Sequence, residues 1–137
     1  MQKLTKLISE VKVFFLPTAI LLTLTIVVLS LIKTDGLPKI EVSQADKYFH
    51  STAYFALTLS WIFALRHQLN RKKKLTFLSL FLLIVLFGIV IEVLQMTVTD
   101  YRSFDFYDIV ANSIGVSLAF LFYQILRRVY SRFEARN

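Results

Sequence analysis

The sequence contains no cysteine, only three glycines and two prolines, and few charges, 18% of its 137 residues. Without cysteine there is neither a disulfide framework nor a thiolate metal site. So little glycine and proline excludes low-complexity and repeat architectures, and the shortage of charge excludes disorder. What fills the chain instead is apolar: 56% of the residues are hydrophobic, against about 45–50% in average globular domains, where roughly a quarter are charged. One small core buries only part of a short chain's surface, so the surplus calls for a bilayer as solvent. The net charge of +7 does not point to nucleic acid. The basic residues collect in short blocks between apolar runs rather than on one solvated face.

Four apolar runs approach bilayer length, for which about 20 helical residues suffice. They cover residues 13–32, 48–65, 75–99 and 108–126, the second interrupted by His50 and the third by Glu92. Each is too long for a strand and lacks barrel alternation, so helices must satisfy the backbone in lipid. The expected fold is all-α, a polytopic four-transmembrane-helix bundle forming a single domain over 1–137. Lys3, Lys6 and Lys12 before the first run suggest a signal peptide, but the run is longer than a signal core and no small-residue cleavage site follows, so it is read as retained. Pro17 falls in its first turns, where a missing amide donor matters little.

Orientation follows from lysine and arginine. The N-terminal tail, the segment between the second and third runs (Arg66, Arg71, Lys72, Lys73, Lys74) and the C-terminal tail (Arg127, Arg128, Arg132, Arg136) hold twelve of the sixteen. Both termini are therefore expected to be cytoplasmic. The first and third connections hold Lys33, Lys39, Lys47 and Arg102, together with six of the nine acidic residues, Asp35, Glu41, Asp46, Asp100, Asp105 and Asp108.

Three polar stripes enter from that acidic side. Asp46, His50 and Tyr54 follow at i, i+4, i+8; Glu92 and Gln95 at i, i+3; Asp105, Asp108 and Asn112 stack in the same way. A carboxylate at membrane depth costs on the order of 2.5–3.5 kcal/mol on the lenient insertion scale, so Glu92 must face protein or water. Lys47, His50, Arg102 and Asn112 are its potential partners, with Arg102 favoured for its guanidinium fork. Ala111, Gly115 and Ala119, with Gly88 opposite, predict a close seam between the third and fourth helices. Each polar residue also has a purely structural reading. Ser43 with Asp46, and Asp105 with Asp108, have capping spacing; His50, Tyr54, Gln95 and Asn112 can serve as interhelical hydrogen-bonding groups; Lys47 can snorkel; Arg102 can pair with loop acids.

The series Asp46-Lys47-Tyr48-Phe49-His50 with Tyr54, followed by Glu92, Gln95, Arg102, Asp108, Asn112 and Gly115, resembles the D-K-x-x-H-x-x-x-Y and E-x-x-Q, R, D-x-x-x-N-x-x-G signatures of the VanZ-like family of small bacterial membrane proteins. The match covers roughly 46–119 and departs where the family commonly has a proline before the arginine and this chain has Val98-Thr99-Asp100-Tyr101. The resemblance implies a bacterial cytoplasmic (inner) membrane location. It also carries the family's association with resistance to teicoplanin, a lipid-bearing glycopeptide that acts on external cell-wall synthesis.

Three functions stay open. The first is a non-enzymatic module that engages membrane lipids, a lipid-linked cell-envelope intermediate or a lipoglycopeptide, with Lys47, Arg102 and His50 as donors to a headgroup. The second is an intramembrane enzyme with Glu92 or His50 as general base, and with a divalent metal on Asp46, His50 and Asp108. No H-x-x-x-H or D-x-D metal spacing occurs, so neither metal nor cofactor is expected, and no nucleophile or phosphate-loop motif is present. The third is an ion-pair cluster that fixes helix register.

Overall fold

The computed structural model describes residues 2–32, 45–71, 73–99 and 104–134. They form four helices, α1 (Gln2–Leu31), α2 (Ala45–Arg71), α3 (Lys73–Val98) and α4 (Phe106–Glu134). The helices outrun the apolar stretches. Lysine, arginine, glutamine and glutamate are good helix formers, so α2 and α3 continue through the basic segment where apolarity ends. Pro17 lies inside α1, with the preceding residues also helical.

Among the described residues, three helices are long and apolar enough to cross a membrane, over Phe14–Leu31, Thr76–Val98 and Phe106–Arg132. Their lipid-compatible faces carry exposed leucine, isoleucine, valine and phenylalanine, among them Leu21, Leu24, Leu83, Leu86, Leu121 and Ile125. Helix α2 is the most polar and also the central one, in contact with α1, α3 and α4. Its Tyr54, Leu57, Thr58, Ser60, Ile62 and Ala64 are all buried, so the interior of this bundle is built on the helix least suited to lipid.

Around α2 the core comprises Tyr54, Leu57, Ile62, Leu80, Ile84, Val116, Phe120 and Tyr123. Aromatic rings interlock at its basic end, Phe77 lying 6.0 Å from Phe120 and Phe63 5.8 Å from Tyr123. Serine and threonine hydroxyls find acceptors within their own helices: Thr23 donates to the Ala19 carbonyl at 2.7 Å and Ser117 to that of Ser113 at 2.8 Å, which removes the need for water in an apolar setting.

The small-residue seam is placed differently from its expected position. Gly115 of α4 abuts the α2 backbone at Ser51 and Phe55, while Gly88 of α3 faces Tyr54 and Asn112. The close approach therefore joins α4 to α2, because α2 and α4 start at the same end and lie side by side along their polar stripes.

Candidate functional site

Helices α2 and α4 begin, and α3 ends, at one end of the bundle. Asp105 precedes α4 and caps it, accepting the Tyr107 amide at Oδ1 (2.8 Å) as an N-cap aspartate does. Its Oδ2 accepts Lys47 at 2.5 Å, and Lys47 also pairs with Oδ1 of Asp108. One ammonium thus ties the start of α2 to the start of α4. Burial works against the Lys47 charge, but the hydrogen bonds to Asp105 and Asp108 outweigh it and hold Lys47 above the ordinary lysine range. The same ammonium, with the Tyr107 amide, holds the Asp105 carboxyl below the ordinary carboxylate range.

A turn deeper, Nδ1 of His50 lies 3.1 Å from Oδ1 of Asn112. Nε2 of the same ring is 3.8 Å from Asp46 and 3.6 Å from Asp108. Below them lies a buried layer of Tyr54, Glu92 and Asn112, at most 2% exposed. Tyr54 Oη, Glu92 Oε1 and Asn112 Nδ2 are buried and have no hydrogen-bond partner among the described residues. Buried polar atoms are nearly always paired, so three together mark this layer as unusual. The Glu92 carboxyl has the Asp105 backbone amide against it and lies within the charge field of Asp108 and His50. The sequence proposed His50 or Asn112 as its hydrogen-bond partner; in the structure those two bond each other instead. Arg102, the favoured partner, and Ser43 of the proposed capping pair lie outside the described residues.

Of the ten residues singled out by sequence, eight converge here: Asp46, Lys47, His50, Tyr54, Glu92, Asp105, Asp108 and Asn112. Gln95 does not join them. It is buried, and its amide donates to the Ser30 carbonyl of α1 at 3.1 Å, which makes it the link between α3 and the end of α1. Lys47, read from the sequence as a donor oriented by acids, has Asp105 and Asp108 as those acids.

A cavity of about 170 Å³ opens beside the cluster. Asp46 and His50 supply its polar end, and Ile26, Leu29, Ala53 and Ile91 its apolar walls. The contributions of α1 had no sequence signal beyond their position near the end of an apolar run. Around this end Tyr48, Phe49, Phe104, Phe106 and Tyr107 are exposed, the kind of aromatic girdle found at membrane interfaces.

Three helices apolar and long enough to cross a membrane, packed with a more polar helix, are the architecture of a helical membrane protein. Residues 12–127 match VanZ/LLP1, and the chain belongs to that family. It is similar to an uncharacterized protein of Schizosaccharomyces pombe, 38% identical over 86 residues, which is 61% of this chain and 49% of the relative. The chain therefore spans about half the length of that curated relative. No solved structure matches it.

Proposed function

We propose that the chain crosses its membrane four times with both termini cytoplasmic, and that the cleft beside Asp46 and His50 receives the headgroup of a membrane lipid from the outer leaflet. The observation that carries this reading is the cleft itself: one polar end, apolar walls supplied by α1, α2 and α3, and aromatic side chains at the same level. An amphipathic slot at that depth suits a molecule with a polar head and an apolar tail. Because Lys47 is neutralised by Asp105 and Asp108, the cleft offers acceptors, so the headgroup brings its own donors or reaches the carboxylates through a cation. A similar stretch in a yeast, a cell that builds no peptidoglycan, favours a common phospholipid over a wall-specific intermediate. The link to teicoplanin enters through the family name alone.

The test is lipidomic. Full-length protein extracted in mild detergent should retain one headgroup class enriched over the bulk membrane, and Ala53→Trp, which fills the apolar wall, should lose that enrichment while remaining monodisperse. Retained lipid identical in composition to the membrane it came from would remove the reading.

A further inference from the structure

In the neutral ring of His50, three electron-pair donors meet beside the cleft. Nδ1 of His50 faces a carbonyl-type acceptor, Oδ1 of Asn112, at 3.1 Å, so in the neutral ring Nδ1 bears the hydrogen and Nε2 presents its lone pair. That lone pair faces Oδ1 of Asp46 at 3.8 Å and Oδ2 of Asp108 at 3.6 Å, both beyond hydrogen-bond length. The three atoms lie within 4.8 Å of one another. Lys47 engages the opposite oxygen of each carboxylate, Oδ2 of Asp46 at 3.8 Å and Oδ1 of Asp108. One oxygen of each is thereby left turned toward the ring.

Two further observations point to a positive charge at this spot. Asp46, Lys47, Asp105 and Asp108 carry a formal charge of −2, which the lysine alone does not neutralise. Beneath them Glu92, 1% exposed, lies close to Asp108 and His50 with Oε1 unpartnered among the described residues. An interior that leaves a buried carboxylate oxygen unpaired beside two further acids is arranged for a cation.

We propose that Asp46, His50 and Asp108 form a binding site for one divalent metal ion of the zinc or manganese class. Ligand atoms about 2.1 Å from Zn²⁺ lie about 3.4 Å apart in a tetrahedral shell, so the two contacts of the ring nitrogen, 3.8 and 3.6 Å, close by a few tenths of an ångström, and the two carboxylate oxygens, within 4.8 Å of each other, close by at most about 1.4 Å. Asp46, whose side chain is 61% exposed, is free to make that movement. One imidazole with two carboxylates suits Zn²⁺ or Mn²⁺; calcium sites use oxygen alone, and copper(I) sites use sulfur. Asn112 would fix the ring's orientation from behind, as outer-shell groups do for metal-bound histidines. Three protein donors leave a coordination position open, and Asp46 and His50 line the cleft. On the lipid reading above a phosphate oxygen fits that position, but metal binding does not depend on it.

The experiment uses full-length protein carrying no polyhistidine tag, stripped with chelator in detergent and titrated with Zn²⁺ and Mn²⁺ by calorimetry, with Mn²⁺ electron paramagnetic resonance as a second readout. One equivalent should bind. Affinity should fall at least tenfold in His50→Ala and Asp46→Asn, and stay unchanged in His67→Ala, which replaces the second of the two histidines. Asp46→Asn touches the exposed ligand and so serves if His50→Ala does not fold. Wild-type protein that binds no metal, or binds it equally after Asp46→Asn, would overturn the site. Metal binding without selective lipid retention would sink the lipid reading and leave the metal site standing.

Discussion

A Cβ added to Gly115 would overlap the carbonyl oxygen of Ser51 and stand 2.9 Å from its carbonyl carbon. Helices α4 and α2 therefore touch backbone to backbone one turn below the polar cluster, and this contact sets how closely Asp108 and Asn112 approach Lys47 and His50.

Gly115→Ala should accordingly destabilise the bundle by about 2 kcal/mol or more, because backbone cannot yield to an inserted methyl as a side chain can. Gly88→Ala is the internal comparison. There the new methyl meets only side-chain atoms, Tyr54 Cε1 at 3.2 Å and Asn112 Nδ2 at 3.3 Å, and alanine regains about 1 kcal/mol of helix propensity, so the change should be near neutral. Thermal melts of both variants in one detergent check the ranking; equal losses would show that Gly115 is not the contact that sets the spacing.

Lys47→Met should cost about 1–3 kcal/mol by leaving Asp105 and the buried Asp108 unpaired, and it should reverse the acid limb of the stability profile. In the wild type the Asp105 carboxyl is held below its ordinary value by Lys47. Its contribution is therefore present above about pH 4 and lost as pH falls through the lowered value. Lys47 itself is held above its ordinary value, so its contribution persists to the ordinary lysine range near pH 10 and fades only above it. In Lys47→Met the carboxylates repel, and protonation relieves them. Apparent melting temperatures between about pH 2 and 5 should fall with acid in the wild type and rise in the variant. Parallel curves would exclude the ion pair as the source.

The four-span topology is checked by chemistry that the sequence makes clean, since there is no native cysteine. Single cysteines at Gly36 and Tyr101 should react with an impermeant maleimide in intact cells, whereas one at Asn70 should react only after permeabilisation. Labelling at Asn70 alone would invert the bundle.

Four helices were readable because each carries an uninterrupted or nearly uninterrupted apolar run, three of them apolar and long enough to cross a membrane, and the convergence of the stripes was readable because helical spacing puts i, i+4 and i+8 on one face. Helix ends were not, since apolar letters mark lipid depth and polar helix formers extend beyond it. The partners of the small residues were not readable either. A glycine at four-residue spacing announces a close approach but not which helix arrives, and Gly115 met α2 rather than α3. Which acids orient Lys47 was not readable for a related reason. Sequence places it on the acid-rich side, and only the parallel placement of α2 and α4 shows that the two aspartates some sixty positions away are its partners. Gln95 shares the stripe of Glu92 but, a turn nearer the end of α3, meets α1 instead.

The separation in sequence between Lys47 and its partners bears on how the protein is made. Asp105 and Asp108 follow Lys47 by 58 and 61 residues, so a ribosome completes α2 long before it supplies the carboxylates that neutralise its first turn. Until α4 emerges, the most polar of the four helices has only α1 and α3 to pack against. Assembly is thus completed from the C-terminal side, and a chain truncated before Asp105 should release α2 to quality-control proteolysis while α1 inserts normally.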